Sequence, residues 1–179
     1  MFPIHTERLK LRLHETSDVA ALQHIYGRVD VARFLLEEPW ACAYAEREVS
    51  RRMVNTGLSN GGTALALAVE REGKVIGAVQ LWLTDVEHRV GEIGWVFDPD
   101  FGGQGFATEA VSAVLELGFQ HYDLHRIAAQ MDGRNVASAR LAQRIGMQQE
   151  AHLRQNWWSK AEWTDTVIFG LLESEFSQS

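Results

Sequence analysis

The sequence predicts one α+β domain built on a mixed, mostly antiparallel sheet, with a central parallel strand pair and helices on both faces. Three observations predict it. Apolar segments at 63–70, 74–83 and 90–97 are joined by short polar turns and read as an antiparallel meander. A glycine-rich turn then leads into a segment of helical period and on to an apolar strand at 126–131. Strand, helix, strand over that distance implies a right-handed crossover and a parallel pair. Two further strand-like runs, 147–157 and 164–172, close the sheet.

Taken in order, Leu9, Leu11 and Leu13 alternate with Lys10 and Arg12, the pattern of a half-buried strand. Ser17 is placed to cap a helix whose apolar face is Leu22, Ile25, Tyr26 and Val29. An irregular stretch with Phe34, Leu35, Pro39 and Trp40 follows. The next helix is expected at about 44–56, with Ala45, Val49 and Met53 inward and Gly57 as its stop. The turn Ser59-Asn60-Gly61-Gly62 opens the meander. After the glycine turn, Val111, Val114, Leu115, Gly118 and Phe119 recur at helical spacing. A last helix at 135–145 turns Ala137, Leu141, Ala142 and Ile145 inward and closes on Gly146.

Length and composition bound the function. At 179 residues, 46% hydrophobic and 23% charged, the chain suits a single globular domain, expected over 1–173 with a tail at 174–179. A net charge of −7 argues against a nucleic-acid binder and mildly favours cationic partners. The single cysteine, Cys42, excludes an internal disulfide and any cysteine-rich metal site. No membrane span or leader pattern is visible in the sequence, so the cytoplasm is the expected location.

The chemistry concentrates in Phe101-Gly102-Gly103-Gln104-Gly105-Phe106-Ala107-Thr108-Glu109-Ala110. Glycines let the chain turn tightly, and the free N–H groups of the following helix add the positive end of its dipole. Such a corner holds an anion, and a phosphate or pyrophosphate fits it. The dinucleotide fingerprint fails because Thr108 stands at its third small position, and no Gly-Lys-Ser/Thr marks a nucleoside-triphosphate loop.

With these residues placed, the chain resembles the GNAT superfamily of acyl-CoA-dependent N-acetyltransferases, and within it the RimJ/RimL type that acetylates ribosomal-protein N-termini. The resemblance spans nearly the whole chain and rests on four segments in order: Thr6–Arg12, Glu92–Pro99, Gly103–Ala110, and Asn135–Leu141 with Ile145-Gly146-Met147. Gly105 and Ala107 match the superfamily's pyrophosphate loop, while Gly102 stands where Gln or Arg is usual. The resemblance implies a GNAT-like sheet whose central parallel pair splays apart. It implies acetyl-CoA as cosubstrate and no metal. The cofactor is expected on Val96, Phe97, Gly103, Gln104, Gly105, Phe106, Ala107, Thr108, Asn135 and Ser138. Main chain around Val96 and Phe97 would pair with the pantetheine arm and polarise the thioester oxygen. Ser138 would lie near the sulfur, to protonate it, to act through a bridging water or to hydrogen-bond the thiolate, and Glu92 would be the general base.

Residue type leaves alternatives beside these roles. Asn135 and Ser138 also suit a helix start, and Glu92 also suits a sheet-edge or salt-bridged carboxylate. Glu109, in the first turn of its helix, reads as structural. His88 and His125 have no partner visible in the sequence. The acceptor implied is a primary amine, with a peptide N-terminus ahead of lysine because an α-amino group is neutral in roughly a tenth of molecules at pH 7. A small amine such as a polyamine, an amino acid or an aminoglycoside, or a non-catalytic acyl-CoA-binding module, stands as the alternative. The branch carries an acid after its second signature, where this chain reads Gln155-Asn156-Trp157-Trp158. These tryptophans suit an apolar or cation-attracting wall and equally a core or dimer contact. No nucleic acid and no membrane are expected as partners, and a homodimer is an assembly the branch often adopts.

Overall fold

The computed structural model describes residues 2–176. Nine strands, β1 (Ile4–His5), β2 (Lys10–Leu13), β3 (Thr56–Gly57), β4 (Ala64–Arg71), β5 (Lys74–Asp85), β6 (Val90–Phe97), β7 (Arg126–Asp132), β8 (Gln148–Ser159) and β9 (Glu162–Leu172), form one sheet among the described residues. Its order is β1-β2-β4-β5-β6-β7-β9-β8, with β3 paired to β4. Only β6 and β7 run parallel; the other pairs are antiparallel. The helices are α1 (Val19–Tyr26), α2 (Val29–Ala32), α3 (Cys42–Met53), α4 (Phe106–Glu116), α5 (Val136–Arg144) and α6 (Glu173–Phe176).

Two cores form on the two sheet faces. On one, Phe106, Ala110, Val111, Val114 and Leu115 of α4 and Leu141 and Ala142 of α5 pack against Leu65, Leu67, Leu81, Ile93 and Ile127. On the other, Leu22, Ile25 and Tyr26 of α1 and Ala45 and Val49 of α3 enclose Trp40 against Ala78. Each fully buried large aliphatic side chain adds about 1.5–3 kcal/mol, so the apolar spacing of α4 suffices to hold its first turn in place.

Several local expectations change. Ser17 does not cap α1. Asp18 accepts the Glu15 N–H at 2.8 Å and is itself held by Arg12, and this closes a short 3-10 turn ahead of the helix. Val29 is 75% exposed because α1 stops at Gly27 and Val29 begins α2. The helix expected at 44–56 is α3, Cys42–Met53, with Met53 at its exposed end. Gly57 is not its stop; it pairs with Ala64 in β3. Ala137 faces outward, since α5 buries only Leu141 and Ala142 and projects its first turn from the core. Of the tail expected at 174–179, residues 174–176 belong to α6, where Phe176 stacks on Phe119 at 5.0 Å, and 177–179 lie outside the described residues.

Candidate active site

The site begins where the parallel pair comes apart. β6 and β7 pair only at Val90↔Arg126, Gly91↔Ile127 and Glu92↔Ala128, although β6 continues to Phe97 and β7 to Asp132. Hydrogen-bond alternation shows which groups face the gap. The Asp98 N–H donates to the Ile76 carbonyl, so Val96, Gly94 and Glu92 turn their main-chain groups to β5. Ile93, Trp95 and Phe97 therefore turn theirs away, and beyond Glu92 no strand pairs with them among the described residues. Of the two residues expected to offer main chain, Phe97 faces the gap and Val96 faces β5, with its side chain against the α1–α3 core. An extended ligand bearing amides can complete such an edge.

The glycine turn lies just past the end of this edge. Asp98 accepts the Asp100 N–H and starts the turn Pro99–Phe101, and the Gly102 N–H closes it on the Pro99 carbonyl at 2.9 Å. A Cβ on Gly102 would lie 2.9 Å from that same oxygen, which explains why this chain carries glycine where the related loop has a long polar residue. Gly103 (φ 73°) and Gly105 (φ 82°) take left-handed conformations, and Gly105 caps α4. The first intrahelical bond is Glu109 N–H to the Gly105 carbonyl, so the N–H groups of Phe106, Ala107 and Thr108 precede it without intrahelical partners. A Cβ on Gly103 would meet nothing within 4 Å. The turn is an open nest of donors that fits a pyrophosphate.

Cations from elsewhere frame this nest. Arg8 donates to the Gln104 carbonyl at 2.9 Å, and its guanidinium and that of Arg71 each lie 4.6 Å from the Phe106 ring. Arg144 of α5 donates to Thr108 Oγ1 at 3.2 Å, which sets a guanidinium at the first turn of α4. Glu109 accepts from Thr6 Oγ1 at 2.5 Å, the Arg8 N–H at 2.8 Å and Arg8 Nε at 2.7 Å. Burial raises its carboxyl pKa, but the Thr6 and Arg8 hydrogen bonds outweigh this and hold it below the ordinary value. Glu109 thus latches α4 to the N-terminal strands.

On the far side of the gap stands the start of α5. Asn135 Oδ1 accepts the Ser138 N–H at 3.1 Å, so Asn135 is the cap that its type allowed. The Ser138 hydroxyl is met by Trp95 Nε1 at 3.3 Å, a contact that bridges α5 and β6.

Glu92 lies on the opposite sheet face, at the last paired rung. It is half-buried, and it accepts from Gln130 Nε2 at 3.1 Å. Among the described residues it has no ion-pair partner, which removes the salt-bridged alternative. Burial raises its pKa above the ordinary carboxylate value, opposed by the Gln130 hydrogen bond. At the end of β7, Arg134 bridges Asp132 and Glu162, both at 2.7 Å. Lys160, in the β8–β9 turn, donates to the carbonyls of Ala32 and Leu35 and ties that turn to α2 and the loop behind it.

Other candidates separate from this constellation. His88 pairs with Asp85 at 2.9 Å in the β5–β6 turn, at the end of β6 remote from the glycine turn. The His125 main chain bonds Arg89 and Glu173. His24, Asp98 and Asp100 form the one group of metal-ligating type among the described residues, and Arg28 Nη1 already lies 3.4 and 2.9 Å from its two carboxylates. Trp157, Trp158 and Trp163 are 48%, 56% and 57% exposed, so the core alternative for Trp157 and Trp158 falls away. Near them an open depression of about 810 Å³ is lined by His152–Asn156 and Asp165. There Asp165 of β9 accepts from His152 Nε2 and the Gln155 N–H, a carboxylate supplied across strands to the segment that lacks one of its own. Strand pairing, Trp95, Gln130, Arg8 and Arg144 carried no local signal; only the fold assembles them. Among the described residues no helix is long and apolar enough to cross a membrane.

With this geometry in place, comparison with known proteins is consistent across the chain. Residues 8–148 match the family described as acetyltransferase (GNAT) domain. The uncharacterized N-acetyltransferase YnaD of Bacillus subtilis is 30% identical over 174 residues, 97% of this chain and 99% of that protein. The crystal structure of a GNAT-family acetyltransferase from Bacillus anthracis superposes with a TM-score of 0.87 at 30% identity, covering 97% and 100% of the two chains. Spermidine N-acetyltransferase from Vibrio cholerae, solved with CoA and spermine, superposes with a TM-score of 0.82 at 21% identity over 96% and 99%.

Proposed function

The chain belongs to the GNAT acetyltransferase family and is an N-acetyltransferase, and on that premise we propose that it moves the acetyl group of acetyl-CoA to the α-amino group of a protein or peptide N-terminus. The observation that carries this reading is Glu92: one half-buried carboxylate, free of any cationic partner among the described residues, at the rung where β6 and β7 part. A carboxylate is a weak base even when burial strengthens it. It is better matched to an α-amine near pKa 8 than to a lysine near 10.4, of which only about 0.04% is neutral at pH 7.

In this reading the nest at Gly103–Thr108 and the Arg144 guanidinium hold the pyrophosphate, and the open edge at Trp95 and Phe97 pairs with the pantetheine amides. Glu92 takes the amine proton, directly or through a water. A main-chain N–H at the edge stabilises the oxyanion, and Ser138 hydrogen-bonds the departing sulfur. The test compares free-CoA release with peptides bearing a free N-terminus, N-blocked peptides containing lysine, and polyamines. Turnover of the first set is expected; turnover confined to blocked lysine peptides overturns the α-amino assignment. A polyamine acceptor is the second reading, favoured by the net charge of −7 and by the spermidine acetyltransferase among the neighbours. A preference for spermidine would establish it.

A homodimer belongs to the same proposal. Its support is the exposed pair Trp158 and Trp163, edge to face at 5.4 Å, beside the unpaired outer edge of β8. Sedimentation at micromolar concentration showing monomer alone would remove it.

A further inference from the structure

The contact between Trp95 and Ser138 gives the serine hydroxyl a direction. An indole Nε1–H donates and never accepts, whereas a hydroxyl has one proton and two lone pairs. At 3.3 Å from Trp95 Nε1, Ser138 Oγ must therefore be the acceptor. Its own proton is left to point to a third atom. The serine main chain is held separately, by Asn135 Oδ1 at 3.1 Å, so the Cα and the hydroxyl oxygen are each fixed by a different neighbour. Trp95 itself is half-buried and packs on the α4–α5 core, so its ring is held from behind. Its main chain lies on the open edge of β6.

We propose that Trp95 is a positioning residue for acetyl transfer: its indole N–H occupies a Ser138 lone pair and so commits the serine to donating its hydrogen bond into the gap between β6 and β7. Without that donor, a serine in a first helical turn is free to bond back to a carbonyl three or four residues earlier, which would aim the proton along the helix and out of the gap. The inference rests on the reading of Ser138 as the partner of the leaving sulfur. In the step concerned, the amine nitrogen forms the C–N bond and the C–S bond breaks with its electron pair on sulfur. Ser138 donates a hydrogen bond to that thiolate and keeps its proton. The proton that ends on CoA is the one lost by the amine, carried by Glu92 and water. Trp95 transfers nothing.

A double-mutant cycle on Trp95→Phe and Ser138→Ala tests this. Trp95→Phe retains an aromatic ring and removes the N–H. It is expected to lower kcat about 3- to 10-fold, the scale of one neutral hydrogen bond, and to leave the KM for acetyl-CoA unchanged. The double variant should be no slower than Ser138→Ala alone. Effects that multiply, or a Trp95→Phe enzyme with full kcat beside a slow Ser138→Ala enzyme, overturn the positioning role while leaving Ser138 in place. Full turnover by Ser138→Ala would overturn both readings together, and is distinguishable for that reason. Should Trp95→Phe disturb folding, 3-benzothienylalanine at 95, which replaces the N–H by sulfur at nearly constant shape, gives the same reading: slowed kcat supports the assignment and wild-type kcat refutes it.

Discussion

Gly105→Ala separates the anion nest from the backbone strain that creates it. Gly105 sits at φ 82°, ψ −1°, where an L-residue costs about 1–2 kcal/mol. A Cβ there would also lie 3.3 Å from Arg8 Nη2, pressing on the guanidinium that holds the Gln104 carbonyl. Gly73 in the β4–β5 turn is a matched control. Its φ is 79°, and a Cβ there would meet nothing within 4 Å. Both alanine variants should therefore lose about 1–2 kcal/mol of stability, measurable as a shift in urea midpoint. Only Gly105→Ala should also weaken acetyl-CoA. Loss of one charge-assisted hydrogen bond to the pyrophosphate is worth about 1.5–3 kcal/mol, or roughly 10- to 150-fold in Kd by calorimetry. Equal affinities for Gly105→Ala, Gly73→Ala and wild type would refute the nest. Absence of binding by wild type would refute acetyl-CoA as the donor substrate.

Ser138→Ala should lower kcat by about 30- to 150-fold, the equivalent of roughly 2–3 kcal/mol in the transition state, with the acetyl-CoA Kd unchanged. Glu92→Gln should remove from the kcat/KM profile the acidic limb set by the carboxylate and leave only the fall set by the amine's own pKa of about 8. In wild type the carboxylate limb should lie above 4.5, the ordinary value for glutamate, because burial raises the pKa; persistence of that lower limb in the variant dismisses Glu92 as base. His14 is 4% exposed, and burial lowers its pKa against the opposing pull of the Asp18 carboxylate, 3.4 Å from Nδ1. The folded protein thus disfavours the charged form, so His14 contributes no pH penalty above about 6.5 and destabilises as pH falls through its unfolded pKa. Urea midpoints at pH 7.5 and 5.5 should converge in His14→Asn relative to wild type; an unchanged difference rejects this source.

The strands of the meander were legible because they are apolar runs bounded by turn residues, and 90–97 is matched residue for residue by β6. The glycine turn was legible because two of its glycines occupy conformations that other residues avoid. Errors fell where helices meet neighbours. Ser17 looked like a cap, yet Asp18 won because it also pairs with Arg12 across the fold. Met53 and Ala137 sat at the right spacing but at the last residue of α3 and in the first turn of α5, which stay exposed, so periodicity overstated their burial. Of the candidate site residues, Asn135 was legible as a helix cap because a local rule selects it. Trp95 and Arg144 meet partners 43 and 36 positions away in sequence, and no window of residues contains that information.

The period of two along β6 gives the site its sidedness. Ile93, Trp95 and Phe97 send their side chains to the α4–α5 core, on the side of the glycine turn and Ser138. Glu92 and Val96 send theirs to the other face, where Val96 packs against the α1–α3 core. A strand that pairs on both sides would seal these faces from each other. Here pairing stops at Glu92↔Ala128, and the gap beyond it opens between them. The proposed base, Glu92, and the proposed partner of the sulfur, Ser138, therefore stand on opposite faces of a single opening. An amine entering from the Glu92 side would reach a thioester held on the Ser138 side without displacing it. Gly94 keeps that approach low: a Cβ there would add bulk beside Trp82, 3.4 Å away, between Glu92 and Val96. A one-residue slip in register would exchange every one of these positions between faces. The pairing of β5 with β6 on one side therefore determines the chemistry available on the other.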